Sequence, residues 1–133
     1  MKTSIATVCI SGNLPEKLEA IAKAGFDGIE IFEQDFIAHD GDPREVGDLI
    51  RSMGLEITLF QPFRDFEGLP ASLRAKAFDR AERKFDLMQE LGTDLVLICS
   101  SCHPEALGGI DRAAADFHEL GERAAKRGLR VGF

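Results

Sequence analysis

The chain has 133 residues, enough for one domain or a piece of one, and its 44% apolar and 29% charged residues are the balance of an ordinary globular protein. A formal charge of −7, with the 16 Lys and Arg spread along the sequence, disfavours a phosphate backbone, so nucleic acid is not an expected partner. No stretch reaches the roughly 20 apolar residues of a membrane span, MKTSIATVCIS is too short and interrupted for a signal peptide, and the 3 cysteines fit reduced thiols in the cytoplasm.

The first predicted strand is Ser4–Ile10. Ser11-Gly12-Asn13 turns the chain, and Asn13 with Glu16 three residues on forms a capping-box pattern for a helix burying Leu18, Ile21 and Ala22. A strand over Gly28–Phe32 then leads into Glu33-Gln34-Asp35 and a loop through His39 and Gly41. Asp42-Pro43-Arg44-Glu45 is a helix start, with an N-cap, Pro at the first helical position and Glu at the third. That helix is expected to bury Val46, Leu49, Ile50 and Met53.

The stretch Leu55–Gly68, LEITLFQPFRDFEG, organises the rest. Ile57 to Phe60 reads as a buried strand. Gln61, Arg64, Asp65 and Glu67 then cluster where the strand is expected to end, at Pro62. Ser72 is placed as the cap of the next helix, whose stripe is Leu73, Ala77, Ala81, Phe85, Met88 and Leu91. Asp94–Cys99 is nearly all apolar, as a parallel strand covered on both sides should be. A helix over Ile110–Lys126 burying Ala114, Phe117, Leu120 and Ala124, and a strand over Leu129–Phe133, complete the chain.

Four similar joints recur: AGFDGIEIF, MGLEITLF, LGTDLVLI and RGLRVGF. Each places a glycine (Gly25, Gly54, Gly92, Gly128) after a helical pattern and before a strand, where a left-handed C′ residue ends a helix. The repeat gives a (βα)₄β pattern. That pattern fits a doubly wound sheet, and it fits the N-terminal half of a (β/α)₈ barrel, which needs about 250 residues. A half-barrel leaves its first and fifth strands as open edges, which predicts a homo-oligomer.

In either architecture the chemistry belongs at the carboxyl ends of the strands. Arg64 there can grip a carboxylate or phosphate bidentately, or order its loop by pairing with Asp65 or Glu33. Gln61 can donate to a substrate oxygen or tie down nearby backbone. Glu33 and Asp35 can act as acid and base or as metal ligands, or, as is commoner for such carboxylates, stay solvated or pair with an arginine. Mid-strand Glu30 reads as a structural partner for a buried polar group. Ser100, Ser101 and His103 sit at the fourth strand's end.

Cys99-Ser100-Ser101-Cys102-His103 matches the haem-attachment spacing, but that chemistry needs export. A zinc site lacks a second cysteine pair, and a redox pair normally opens a helix rather than closing a strand. The reading is therefore a core Cys99 and a loop Cys102. Gly108-Gly109 could approach a phosphate, though no Lys-Ser/Thr pair follows.

SIATVCISGNLPEKLEAIAKAGFDGIEIFEQD, ITLFQPFRDFEG and RAERKFDLMQELGTDLVLICS together resemble the N-terminal part of bacterial 3-dehydroshikimate dehydratases. These are xylose-isomerase-like (sugar phosphate isomerase/epimerase) TIM barrels, in some of which a hydroxyphenylpyruvate-dioxygenase-like domain follows. The resemblance implies a partial barrel over residues 1–133 and, for the full-length protein, a lyase of aromatic-compound catabolism. That lyase removes water from 3-dehydroshikimate to give protocatechuate with a divalent metal (Mg²⁺, Mn²⁺ or Co²⁺). It implies substrate contacts at Arg64 and Gln61; Glu33 and Ser100, at the neighbouring strand ends, are the further substrate-binding residues expected. Catalytic residues and metal ligands are expected beyond Phe133, so no metal is expected to be caged by this chain and the chain alone is expected to be inactive. The SSCHPEALGG loop departs from the family pattern. Rival expectations are a sugar isomerase or epimerase on the same barrel, a DNA-binding endonuclease of the same fold, which the charge disfavours, and a non-catalytic, self-associating half-barrel.

Overall fold

The computed structural model describes residues 1–133, and its elements follow the glycine joints. They are β1 (Ser4–Ala6), a 3₁₀ turn (Thr7–Cys9), α1 (Leu14–Lys23), β2 (Gly28–Phe32), α2 (Glu33–His39) and α3 (Pro43–Ser52). Then come β3 (Glu56–Phe63), α4 (Ala71–Leu91), β4 (Leu95–Ile98), α5 (Ile110–Lys126) and β5 (Arg130–Gly132). The four joint glycines all have positive φ, between 70° and 82°, which a side-chain-bearing residue adopts only with strain. The sheet order is β1-β2-β3-β4-β5, with β1–β2, β2–β3 and β4–β5 paired in parallel. A doubly wound sheet reverses its strand order at a switch point. Here the order never reverses, so the topology is that of barrel strands.

The chain divides into two compact units, Met1–Gln61 with Leu87–Asp94, and Pro62–Asp86 with Leu95–Phe133. In the first, the Asn13–Glu16 capping box is complete: Asn13 Oδ1 accepts from the Glu16 amide at 3.0 Å and Glu16 Oε2 from the Asn13 amide at 2.9 Å. Asp42 caps α3 through its side chain, with Pro43 in the first turn. Each such cap is worth about 1 kcal/mol. Ile29, Ile31, Ile50 and Phe60 are fully buried at the centre of the unit. Gly47 lets α3 approach the end of α4, because a Cβ there would collide with the Leu91 carbonyl, which Arg51 Nη1 holds at 2.9 Å.

Several expectations fail in this unit. Strand one stops at Ala6, because Thr7 turns inward and uses its buried hydroxyl to accept the Phe32 amide at 3.0 Å. The loop drawn from Glu33 to His39 is instead α2, closed by Asp40 in the left-handed region (φ 53°). Ala22, Leu49 and Met53 are only half-buried. Lys17, on α1, is buried and paired with Asp35 of α2 at 2.8 Å. Local periodicity could not foresee that pair.

In the second unit, β3 runs through Pro62 to Phe63 rather than ending before it. The ladder there needs only a carbonyl, and Phe63 O accepts from the Cys99 amide at 2.9 Å. Helix α4 starts one residue before Ser72, directly after Pro70, whose carbonyl accepts from Leu73 and Arg74; Ser72 is not its cap. Phe66 is an aromatic hub, its ring centroid 5.5 Å from Phe63, 5.1 Å from Phe78 and 5.9 Å from Phe117. Ala114 is exposed and Phe117 half-buried, whereas Asp116 is buried. Strand β4 is shorter than expected and buries only alternate residues, Val96 and Ile98; Leu95 and Leu97 keep contact with solvent, so one face is sealed rather than two.

Candidate functional site

In the first unit, the strand ends are tied by polar side chains from neighbouring strands. Gln61 Nε2 donates to Glu30 Oε2 at 2.9 Å, so Glu30 does have a polar partner, but both residues are half-buried rather than buried, and Gln61 is anchored to a side chain rather than to backbone. That bond fixes the amide plane and leaves one N–H and the Oε1 carbonyl of Gln61 for another group. Glu33 opens α2 at the carboxyl end of β2 and is half-buried. Asp35 is occupied by Lys17 through both oxygens, at 2.8 and 2.9 Å, so it is a structural anion and not an acid/base partner for Glu33. Removing one member of so buried a pair costs roughly 3–5 kcal/mol.

In the second unit, the loop after β3 is a clasp. Glu67 Oε1 accepts from the Ser101 amide at 2.6 Å and Asp65 Oδ1 from the Cys102 amide at 2.8 Å. These two carboxylates therefore hold the loop after β4. Asp65 sits in the left-handed region at φ 53°, a strained position for a residue with a side chain. Glu67 Oε2 is buried without a hydrogen-bond partner, and Glu67 also lines a cavity of about 250 Å³ with Gly68, Ser101, Gly108 and Gly109. His103 Nδ1 accepts from the Glu105 amide at 3.1 Å, which leaves Nε2 as the ring's donor. Ser100 is exposed, and so is Cys102.

Arg64 differs from every other charge in this loop. It is exposed, and its guanidinium makes no hydrogen bond or ion pair, with Asp65 or with any other residue. Its backbone, by contrast, is gripped: Arg80 Nη2 donates to the Arg64 carbonyl at 2.6 Å and Nη1 to the Asp65 carbonyl at 3.2 Å. Sequence reasoning singled out Arg64 and did not mark Arg80. An arginine on the outer part of a helical repeat carries no local mark of such a contact.

Away from the strand ends, α4 and α5 share a charged lattice. Asp116 accepts from Arg74 Nε at 2.7 Å and from the Gly68 amide at 2.9 Å. Glu119 binds Arg74 and Arg123, Glu82 binds Arg123 and Arg127, and Asp86 binds Arg127. Hydrogen bonds from Arg74 and then Arg123 hold the Glu119 carboxyl below its usual value, and the same contacts raise both guanidinium groups. The Arg74 and Arg123 guanidinium carbons also lie 4.6 and 4.4 Å from the Phe78 ring centroid.

The family description "xylose isomerase-like TIM barrel" matches residues 18–133. The chain belongs to that family. It is 62% identical over all 133 residues to a 3-dehydroshikimate dehydratase of Pseudomonas aeruginosa, and it spans 21% of that protein's length. A solved xylose isomerase-like TIM barrel/4-hydroxyphenylpyruvate dioxygenase fusion protein superimposes with a TM-score of 0.94 and 60% identity, over 99% of this chain and 22% of that one. IolI, a barrel solved with a zinc atom, matches 99% of this chain and 50% of its own at a TM-score of 0.82, and at 17% identity it supports the fold alone. No helix is long and apolar enough to cross a membrane.

Proposed function

We propose that this chain is the N-terminal part of a 3-dehydroshikimate dehydratase and supplies part of its substrate cradle. The observation that carries the reading is the unpartnered, exposed guanidinium of Arg64 at the carboxyl end of β3, in a chain 62% identical to a dehydratase of that name. The substrate has a carboxylate, which a guanidinium binds through two parallel hydrogen bonds. Gln61, held in orientation by Glu30, offers an N–H and a carbonyl to a ketone or hydroxyl. Glu33 and Ser100 complete the contacts we assign.

The lyase reaction removes a proton beside a ketone and expels a hydroxyl. No three His, Cys, Asp or Glu side chains converge here to hold a metal ion, so these residues do not fit the divalent cation that the family implies. The role left for this chain is binding and orienting substrate. Arg64 anchors the end of the molecule that does not react, and that fixes the ring for groups supplied elsewhere in the protein.

The test mixes the purified chain with 3-dehydroshikimate and Mn²⁺ or Mg²⁺ and follows protocatechuate absorbance, beside the longer protein. The longer protein is expected to turn over and the 133-residue chain to be inert. Robust turnover by the chain alone, or none by the longer protein, overturns the reading.

A further inference from the structure

We infer that Arg80 is a positioning residue that sets the direction of Arg64 toward the substrate carboxylate; this rests on the reading of Arg64 given above. Arg64 has no side-chain partner, so what the rest of the protein fixes is the backbone from which its side chain starts. That backbone enters a turn whose next residue, Asp65, is held at φ 53°. A turn of this kind relaxes unless its surroundings over-determine it. Arg80 meets that need from α4, because one planar guanidinium spans two successive carbonyls, at 2.6 Å to Arg64 and 3.2 Å to Asp65. The side chain is itself fixed, its guanidinium carbon lying 5.1 Å from the centroid of the buried Phe63 ring.

Asp65 and Glu67 secure the other side of the turn by holding the Cys102 and Ser101 amides. Every charged group of the turn except the Arg64 guanidinium is thus engaged in shaping it. A lysine at position 80 would present a point charge without the fork that reaches two carbonyls. The prediction that distinguishes positioning from mere packing is therefore that Arg80 acts only through Arg64.

The experiment is a double-mutant cycle in the longer protein, with KM for 3-dehydroshikimate and kcat measured separately. Arg80→Ala is expected to raise KM about tenfold and to change kcat less than about threefold, as loss of uniform binding does. Arg80→Lys, which keeps the charge and the stem over Phe63 and serves if the alanine variant folds poorly, is expected to recover only part of the loss. Adding Arg80→Ala to Arg64→Ala is expected to have little further effect. If Arg64→Ala raises KM and the two changes simply multiply, or if Arg80→Ala leaves KM alone, Arg80 does not position Arg64. If Arg64→Ala itself leaves KM unchanged, the substrate role of Arg64 falls and this inference falls with it.

Discussion

Two clusters of arginine and carboxylate in the unit made of Pro62–Asp86 and Leu95–Phe133 differ in how far they are closed. The α4–α5 lattice pairs every member: Arg74, Arg123 and Arg127 each meet carboxylates, and Asp116 satisfies both a guanidinium and the Gly68 amide. The turn after β3 has the same residue types, yet its two acids bind backbone amides, Arg80 binds backbone carbonyls, and the Arg64 guanidinium is left over. Composition does not separate a closed cluster from an open one. The separation comes from one charge held in place by its neighbours and paired with none of them.

The largest expected effect breaks the closed cluster. Asp116→Ala leaves the Gly68 N–H without its acceptor and Arg74 with Glu119 alone, and should lower unfolding free energy by about 3 kcal/mol in urea denaturation. A loss below about 1 kcal/mol would mean that water replaces the carboxylate freely and that the lattice is not closed. The next effect tests the open cluster. Arg64→Ala should change stability by less than about 0.5 kcal/mol, since an exposed side chain without contacts is removed. The same change should lower kcat/KM of the longer protein by about 100-fold, the scale of a lost charge-assisted pair. Equal losses in both measurements would erase the contrast between the clusters.

How much of this was legible in the sequence depends on the range of the interaction. Asn13 with Glu16, Asp42 with Pro43, and the joint glycines act within a few residues, and the structure places them as expected. The bounds Gly28–Phe32 and Ile110–Lys126 also hold. Arg64 could be singled out by its place directly after a strand, but sequence left open whether it grips a ligand or pairs with Asp65 or Glu33. Arg80, Asp116 and Lys17 could not be, since their partners lie 15 to 48 residues away and nothing local marks them. Pro62 misled for a related reason. A proline ends a strand only where the ladder needs its N–H, and here the neighbouring bond uses the Phe63 carbonyl.

Acid should weaken the closed cluster. Glu119 is held below the ordinary glutamate value of 4.5 by Arg74 and Arg123, so its contribution is present above that value and lost as pH falls through the depressed one. Asp27, lowered mainly by the Thr3 amide, acts in the same direction. Stability should therefore decline as pH falls below the ordinary glutamate value of 4.5, with Arg123→Ala flattening the decline. The group is near the surface, so added salt should weaken the effect. A profile for the variant that matches the parent's would show that the Glu119 pairs do not couple to folding.

The smallest expected effect concerns Cys102, where spacing alone suggested chemistry. The thiol is exposed, and its nearest partner is the Ser100 carbonyl at 3.9 Å, too weak a contact to matter. What the clasp uses is the Cys102 amide, which any residue except proline supplies to Asp65. Cys102→Ser should therefore leave stability within about 0.5 kcal/mol and leave KM unchanged, while Asp65→Ala should cost about 1–1.5 kcal/mol by freeing that amide. The pair of variants separates backbone from side chain at one contact. A serine variant that lost substrate affinity would give the thiol a role that its geometry denies, and would move the open cluster's centre from Arg64 to the loop after β4.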